Sequence, residues 1–252
     1  MGSSATKGVL LLEGRPLSMY MLPTGTDLNA TAKECMEHLL RSRNLTEKDL
    51  SYVVSTGYGR GQVKSAGKTV TEITCHARGA KALTPRANLV IDIGGQDSKV
   101  IRLDDDGMVA DFVMNDKCAA GTGRFLEVMA ERLGTPLEDF GQMWKSAGRP
   151  VSISSTCTVF AESEVISLLS RGTAPGPIIR GLCDAVADRL LGMVHRVGLA
   201  PEVVMTGGVS KNAGVRLSLE KKLSLRVRVP SISQFAGAYG AGIIGHELTG
   251  GK

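Results

Sequence analysis

The stretch Asp92-Ile93-Gly94-Gly95-Gln96-Asp97-Ser98-Lys99 decides the fold, because a strand of the buried type, residues 88–93, runs into it and an apolar strand follows. Glycines at such a turn let backbone N–H groups close on phosphate oxygens, and a carboxylate such as Asp92 can hold Mg²⁺ or its water. An ordinary Asp-Gly turn is the alternative. The pattern predicts Gly94, Gly95, Gln96 and Asp97 as nucleotide-binding residues and Asp92 as a catalytic one.

The N-terminus repeats this pattern, since Gly2-Ser3-Ser4-Ala5-Thr6-Lys7 matches residues 94–99 position by position in character. Each hexamer leads into an apolar strand, a glycine turn and a returning strand, which is typical of a β-hairpin. Two facing hairpins can clamp one triphosphate. We therefore predict that Gly2, Ser3, Ser4, Thr6 and Lys7 also bind the nucleotide.

The two copies differ in what precedes them. Residues 88–93 form a strand that carries an acidic residue before the second hexamer, whereas only Met1 precedes the first. A duplicated fold needs a strand of the same kind in front of Gly2. We therefore expect roughly ten more residues upstream, about the length of one strand and its lead-in.

Elsewhere the chain alternates predicted strands and helices. Pro85 ends a predicted helix, and we place a domain boundary at Thr84–Ala87. Lobe I then comprises residues 1–86 and 232–252, and lobe II comprises residues 87–231. Helices are predicted at 29–42, 70–83, 121–133, 158–171, 177–197, from about 212, and at 234–246, with strands at 52–56 and 202–206.

A third glycine loop, Thr206-Gly207-Gly208-Val209-Ser210-Lys211-Asn212, follows a Val-rich strand and precedes a helix. That geometry lets a flat adenosine lie against the backbone, although a plain strand-to-helix turn is common. As the third such loop in the right order, it predicts that Gly207, Gly208, Val209 and Asn212 bind the nucleotide. Gly121, Thr122 and Gly123, in a turn that opens another helix, complete the predicted set.

Cys118 and Cys157 both lie in Gly-, Ser- or Thr-rich turns where predicted helices begin. Helix N-termini carry N–H groups and a partial positive charge, which suit a thiolate or an anionic cluster. Free cysteines are more often buried small hydrophobes, and Cys35 and Cys183 fit that description. Cys118 and Cys157 cannot complete a four-thiolate site in one chain, but two copies of the chain could.

Cys75 and His76 are adjacent on a predicted helix, so their side chains diverge and we interpret the pair as structural. Glu162 and Glu164 begin the helix after Cys157. Acidic residues there usually complement the helix dipole. The functional alternative makes Glu162 a catalytic carboxylate that positions water or Mg²⁺ opposite Asp92.

Composition excludes several classes of protein. The 252 residues are 42% hydrophobic and 22% charged, which is typical of a globular protein, and the net charge of +5 comes from scattered basic residues. Nucleic-acid binding is therefore not indicated. The five cysteines, in a chain without a secretory signal, indicate free thiols or a metal site. Because the chain also has no apolar run near the ~20 residues of a membrane helix, we expect a cytoplasmic protein.

Four motifs resemble those of a known family: residues 92–97, Asn115–Phe125, Ser155–Glu164 and Thr206–Val209. The sequence is similar over nearly its whole length to the activator ATPases, the ATP-binding components of 2-hydroxyacyl-CoA dehydratase and benzoyl-CoA reductase systems. The resemblance implies an α/β protein of the actin/Hsp70-like fold, with two ribonuclease-H-like lobes around a nucleotide cleft. The family's first strand and its acidic residue, before Gly2, are missing here.

The resemblance also implies cofactors and partners. These are ATP, Mg²⁺ and one [4Fe-4S] cluster that bridges a homodimer, with Cys118 and Cys157 of each subunit as ligands. The implied activity is ATP-driven, low-potential electron donation. The implied partners are a ferredoxin or flavodoxin donor and a dehydratase or reductase acceptor with its own iron–sulfur cluster.

Two alternatives stay open at this point. A small-molecule kinase of the same fold would use an acidic base near Asp92 and need no iron. A non-catalytic nucleotide-binding subunit would bind ATP or ADP without turnover, which the missing first strand makes credible.

Overall fold

The computed structural model describes residues 1–154 and 157–251, and its elements are mixed helices and strands. Ser155 and Thr156, which belong to the second cysteine motif, lie outside the described residues. The strands are β1 (Ala5–Leu12), β2 (Arg15–Pro23), β3 (Val54–Ser55), β4 (Lys68–Thr69), β5 (Leu89–Ile93), β6 (Ser98–Leu103), β7 (Val109–Asn115), β8 (Val203–Thr206) and β9 (Val227–Arg228). The helices are α1 (Leu28–Arg41), α2 (Glu72–Leu83), α3 (Gly123–Leu133), α4 (Phe140–Ser146), α5 (Thr158–Ser170), α6 (Pro175–Val197), α7 (Ala213–Leu223) and α8 (Ala236–Leu248).

The chain forms two compact units. Unit 1 comprises Met1–Asn88, Leu103–Ala110 and Pro230–Lys252, and unit 2 comprises Leu89–Arg102 and Asp111–Val229. The first boundary follows Pro85 within a few residues, and the short connection between β6 and β7 groups with unit 1.

Unit 1 contains two small sheets, an antiparallel pair of β1 and β2 and a parallel pair of β3 and β4. Glu13 and Gly14 join β1 to β2 with φ values of 50° and 74°. Two consecutive positive φ values match the right-handed twist of a tight hairpin. The strand expected at 52–56 shrinks to Val54–Ser55, and a strand paired on one side only has fewer ladder bonds to hold its ends.

The helices of unit 1 pack closely because glycines line their contact. A side chain at Gly79 of α2 would overlap the carbonyl of Ala236, and one at Gly240 of α8 would overlap the carbonyl of Cys75. The small residues of α8 thus allow backbone-to-backbone contact with α2. Thr71 caps α2 by accepting a hydrogen bond from the amide of Thr74, so α2 begins at Glu72 rather than at residue 70.

Unit 2 is built on one five-stranded sheet in the order β7-β6-β5-β8-β9. β5 is buried along its whole length, pairs antiparallel with β6 and runs parallel to β8. Phe125 and Met129 of α3 and Ile178 and Leu182 of α6 are buried in the core of this unit. The unit also contains α4 and β9, two short elements that periodicity did not predict.

Candidate functional site

The carboxyl ends of β5 and β8 lie side by side in unit 2, with Asp92 paired to Thr206. The loops that follow these strands, residues 94–97 and 207–212, therefore leave the sheet at the same edge. Ligands of open α/β sheets bind outside the carboxyl ends of neighbouring parallel strands. Two of the three predicted glycine loops are thus brought to one place.

Asp92 is 2% exposed and sits among polar partners. Its carboxylate accepts a 2.7 Å hydrogen bond from the hydroxyl of Thr206 and lies 3.5 Å from the ammonium of Lys99. Lys99 is also buried, and its ammonium donates to Asp97 at 2.7 Å. A buried carboxylate held by a hydroxyl and an ammonium is fixed in position, as a group that orients water or a cation must be.

Gly207 has to be glycine. Its φ is +85°, and a side chain there would overlap the carbonyl of Ile93 and approach the carboxylate of Asp92. Gly208 has open space around it. The loop therefore packs against β5 at Gly207 and leaves open space beside Gly208.

The Gly94-Gly95 turn is tied to the start of α3. The amides of Gly123 and Arg124 donate to the carbonyls of Gly94 and Gly95 at 2.9 and 2.7 Å. The hydroxyl of Thr122 donates to the carbonyl of Ala119 at 2.6 Å. The amides of Gly123 and Arg124 therefore hold the start of α3 against the Gly94-Gly95 turn.

Val209 and Asn212 of the third loop have structural contacts. Val209 is buried in the core of unit 2, against Gly123. The side chain of Asn212 accepts from the amide of Val215 at 3.1 Å and so caps α7. The predicted residues Gly94, Gly95, Gly123 and Val209 thus form one packed cluster, with Asn212 at the head of the next helix.

The first copy of the repeat makes the same turn as the second. The amide of Gly2 donates to the carbonyl of Ala5 at 3.2 Å, just as that of Gly94 donates to Asp97 at 2.9 Å. Thr24, which the sequence did not single out, braces this turn. Its hydroxyl donates to the carbonyl of Gly2 at 2.8 Å and pairs with the hydroxyl of Thr6 at 2.9 Å.

The five cysteines fall into two groups. Cys35, Cys75 and Cys183 are buried, and burial raises the pKa of each thiol, that of Cys35 to about 11. The interpretation of Cys35 and Cys183 as core residues is confirmed, and the burial of Cys75 agrees with its interpretation as structural. Cys118 and Cys157 are only partly buried.

The two partly buried cysteines lie in different local settings. Asn115 donates from its side-chain amide to the carbonyls of Cys118 and Ala120 at 2.9 and 3.2 Å. Cys157 is the N-cap residue of α5. Glu164, on the same helix, accepts from the amide of Ser154 at 2.5 Å.

Glu162 bonds to Arg132, with 2.6 Å between its carboxylate and the guanidinium. Because Arg132 lies on α3 and Glu162 on α5, this ion pair links the helices that follow the two cysteines. Within the described ranges, no three side chains of His, Cys, Asp or Glu come together as a metal site. No helix there is long and apolar enough to cross a membrane.

Comparison with known proteins shows the family of the chain. The family model described as the BadF/BadG/BcrA/BcrD ATPase family matches residues 1–245. The chain belongs to the BadF/BadG/BcrA/BcrD ATPase family. As a member of this ATPase family it binds ATP.

One relative and two solved structures are similar to the chain over nearly its whole length. The activator of lactoyl-CoA dehydratase from Anaerotignum propionicum is 46% identical over 247 residues, covering 98% of this chain and 95% of the relative. Component A of (R)-2-hydroxyglutaryl-CoA dehydratase from Acidaminococcus fermentans superposes with a TM-score of 0.95 at 41% identity, covering 99% and 96% of the two chains. The activator of 2-hydroxyisocaproyl-CoA dehydratase from Clostridium difficile, solved with bound ADPNP, gives 0.94 at 41% identity, covering 99% and 93%.

More distant solved structures, 14–16% identical with TM-scores of 0.59–0.63, share the fold alone. This is the actin/Hsp70-like ATPase fold, as the family resemblance implied.

Proposed function

We propose that this BadF/BadG/BcrA/BcrD family member is an ATP-hydrolysing activator that passes a low-potential electron to a 2-hydroxyacyl-CoA dehydratase or a benzoyl-CoA reductase-type enzyme. The observation that carries the proposal is the contrast among the cysteines: three are buried, whereas Cys118 and Cys157 reach the surface in turns that precede helices. Relatives that are 41–46% identical are named as activators or activating ATPases of such dehydratases.

The nucleotide is proposed to contact the glycine turns. In unit 2 these residues are Gly94, Gly95, Gln96, Asp97, Gly121, Thr122, Gly123, Gly207, Gly208, Val209 and Asn212, and in unit 1 they are Gly2, Ser3, Ser4, Thr6 and Lys7. Asp92, whose carboxylate Thr206 and Lys99 hold in place, is the proposed partner of Mg²⁺ or its water. Glu162 is the proposed second carboxylate, and it would have to exchange its bond to Arg132 for that role.

Cys118 and Cys157 are proposed to hold half of a [4Fe-4S] cluster. Such clusters take four cysteine thiolates and carry one electron at low potential. Each chain offers two partly exposed thiols, so a two-fold symmetric homodimer supplies the full set. Asn115 holds the backbone at Cys118, which suits a residue that must keep its thiol in place.

The surface beside Cys157 is apolar. Val159 and Phe160, in the first turn of α5, are 64% and 63% exposed. Large apolar side chains exposed together mark contact surfaces. We propose that this turn contacts the second copy or the acceptor enzyme, which carries an iron–sulfur cluster of its own, while a ferredoxin or flavodoxin supplies the electron.

The energetics explain why an ATPase is needed. Transferring one electron to an acceptor of lower reduction potential costs roughly 2.3 kcal/mol of free energy per 100 mV, so a difference of several hundred millivolts costs on the order of 10 kcal/mol. Simple electron transfer does not cover that cost, whereas nucleotide hydrolysis can. Within unit 2, α3 joins the nucleotide loops at Gly123 and is tied to α5 through Arg132, so the cysteine-bearing turns share one framework with those loops.

The test is anaerobic reconstitution with iron and sulfide, followed by iron counting, EPR and size determination. The wild-type chain should bind about two iron atoms per chain, as one four-iron cluster per dimer. Cys118→Ser and Cys157→Ser should each abolish the signal, whereas the buried Cys35→Ser should retain it. Iron bound equally by Cys118→Ser would overturn the proposal, as would transfer of labelled γ-phosphate to a metabolite that survives Cys157→Ala.

A further inference from the structure

The turn that begins at Cys118 is held by hydrogen bonds to each of its first three carbonyls. Asn115, at the end of β7, donates from its side-chain amide to the carbonyls of Cys118 and Ala120 at 2.9 and 3.2 Å. The backbone amide and the hydroxyl of Thr122 donate to the carbonyl of Ala119 at 3.0 and 2.6 Å. In a trans peptide the N–H points opposite to the C=O. These bonds therefore also fix the direction of the N–H groups that follow the three carbonyls.

Arg189, on α6, lies behind this turn. Its guanidinium donates to the Oδ1 atom of Asn115 at 3.2 Å. Its aliphatic stem fills the space beside Gly121, where φ is +85° and a side chain would overlap the Cδ atom of Arg189. The next residue, Leu190, is fully buried in the core of unit 2, so α6 is a fixed part of that core. Arg189 thus connects a core helix to the cysteine turn through both Asn115 and Gly121.

The hydrogen bond from Arg189 decides which way the side-chain amide of Asn115 faces. An asparagine amide has an oxygen that accepts and a nitrogen that donates, whereas a guanidinium only donates. Arg189 therefore requires the oxygen of Asn115 on its own side, and the nitrogen faces the carbonyls of Cys118 and Ala120. The terminal torsion of asparagine is soft and roughly two-fold, so the side chain does not fix this choice itself. A reversed amide would set its oxygen against two carbonyl oxygens.

The orientation of this turn matters for a thiolate that ligates a metal. Groups that lie behind the ligands of a metal site orient those ligands and tune the metal. The reduction potential of an iron–sulfur cluster depends on the hydrogen bonds made to its sulfur atoms. A residue that fixes the backbone N–H groups next to Cys118 can therefore act on the potential without touching the cluster.

We infer that Arg189 is a positioning residue for Cys118: it acts through Asn115, fixes the orientation of the turn from Cys118 to Gly121, and so sets the reduction potential of a cluster held there. The inference rests on the proposed [4Fe-4S] site. No local sequence pattern marks the contact, because 74 positions separate Arg189 from Asn115.

The first experiment is an EPR-monitored redox titration of the anaerobically reconstituted protein. Arg189→Met removes the guanidinium and keeps most of the stem. Its midpoint potential should shift to a more negative value, by enough to change the ratio of reduced to oxidised cluster about tenfold, which corresponds to about 59 mV. Arg189→Lys keeps a charged donor and should recover most of this shift.

Arg180→Met is the matched control for this titration. Arg180 is a partly buried arginine of the same helix, but it donates to the carbonyls of Ala147 and Gly148 instead of the cysteine turn. Its loss should lower stability and leave the midpoint potential as in the wild type. A wild-type potential in Arg189→Met, or an equal shift in Arg180→Met, would overturn the inference.

A double-mutant cycle tests whether Arg189 acts through Asn115. In the Asn115→Ala background, Arg189→Met should produce less than about a third of the shift that it produces in the wild type, as expected for coupled residues. An equal shift in both backgrounds would show that the charge of Arg189 acts directly on the cluster, and it would overturn the inference.

A third measurement needs no iron. In the iron-free chain, backbone amides of residues 118–122 should exchange hydrogen about tenfold or more faster in Arg189→Met than in the wild type, whereas those of α5 should be unchanged. Should Arg189→Met fail to fold, Asn115→Asp replaces it, because this variant keeps the bond to Arg189 and loses the two donated bonds. Unchanged exchange across the turn would overturn the inference. A wild-type chain that binds no iron would instead overturn the proposed cluster site, and the exchange rates would still report whether Arg189 holds the turn.

Discussion

Unit 1 and unit 2 share a turn, a following hairpin and a Thr-Gly step of positive glycine φ after a Val-rich strand, Thr56-Gly57 and Thr206-Gly207. In unit 2 the strand β5 pairs with both the hairpin and the Val-rich strand, whereas among the described residues of unit 1 the hairpin and β3 belong to separate sheets. That one strand joins β6 and β8 into a five-stranded sheet and buries Asp92 against Thr206 and Lys99. In unit 1 the same local pattern yields two separate pairs of strands. Local sequence therefore sets turns and hairpins, while the central strand makes a continuous sheet from them.

The largest difference is expected at the paired glycines. Gly207→Ala should destabilise the protein by about 3 kcal/mol or more, because the new side chain meets the carbonyl of Ile93, which β5 holds rigidly. Gly57→Ala should cost less, about 1–2 kcal/mol, because the carbonyl of Met1 belongs to the first residue and can move aside. Urea denaturation of both variants measures the difference, and equal losses would show that the two positions are equally rigid.

The buried carboxylate of unit 2 is the next point of comparison. Asp92→Asn should lower ATP turnover by about 100-fold, if Asp92 has its proposed role, and cost about 1–3 kcal/mol of stability, because Lys99 loses a charged partner. Asp97→Asn also removes a partner of Lys99, but Asp97 is partly exposed, so it serves as the matched control for stability alone, since Asp97 is itself a proposed nucleotide contact. Anaerobic ATPase assays and denaturation would check both, and turnover equal to wild type in Asp92→Asn would contradict the role.

Removing the hydroxyl of Thr206 or of Thr56 should change stability by a smaller amount, and the two changes should differ in sign. Thr206→Val should cost about 1–2 kcal/mol, since it removes the donor to Asp92 and leaves a buried oxygen without that bond. Thr56→Val should be neutral or slightly stabilising, since its hydroxyl is buried with no strong partner among the described residues. Parallel denaturation curves suffice. A loss in Thr56→Val as large as in Thr206→Val would mean that the Thr56 hydroxyl makes a strong bond.

The smallest expected effect is a pH dependence confined to unit 1. Burial lowers the pKa of the Met1 ammonium from 8.0, with smaller influences from Cys35, Lys7, Cys75 and Glu72. Between the lowered pKa and 8.0 the unfolded chain binds more protons than the folded one, so stability should rise with pH up to about pH 8. The slope is at most about 1.4 kcal/mol per pH unit for one group.

Acetylation of the amino group is the control for this last prediction, because it removes the titrating group and keeps the N–H donor to Thr56. Stability measured from pH 6 to about pH 8 should rise in the free protein and be flat in the acetylated one. A rise that persists after acetylation would assign the effect to other groups.

Much of the fold followed from periodicity and glycine placement. The strands 202–206 and 88–93, the helix at 158–171 and the hairpins of the repeat were predicted within a few residues, because each has a strong pattern and clear ends. α4 and β9 were missed since they span seven and two residues and are stabilised by packing in unit 2 rather than by a pattern of their own. The strand predicted at 52–56 is longer than the observed Val54–Ser55, because the length of a strand depends on the strands that pair with it.

The candidate site shows the same division. Residue type and spacing singled out Cys118, Cys157, Asp92 and the glycine loops, because those chemistries need particular side chains. Two contacts join residues 30 or more positions apart in the chain: Asp92 with Thr206, and Arg132 with Glu162. The contact between Asp92 and Lys99 crosses the β5–β6 hairpin. No local sequence pattern marks any of the three. The hydrogen bonds from the amides of Gly123 and Arg124 to the carbonyls of the Gly94-Gly95 turn likewise join residues far apart in the chain, which no local pattern marks.

The sequence by itself determined which residues can turn, cap, bury or ligate, because glycine, threonine, aspartate and cysteine carry those capacities wherever they stand. Only the tertiary structure decided which of them meet: that Thr206 and Lys99 hold Asp92, that three cysteines are buried and two only partly, and that Arg132 pairs with Glu162. The physical reason is that hydrogen bonding and burial depend on distances across the sheet, which the order of residues along the chain does not contain.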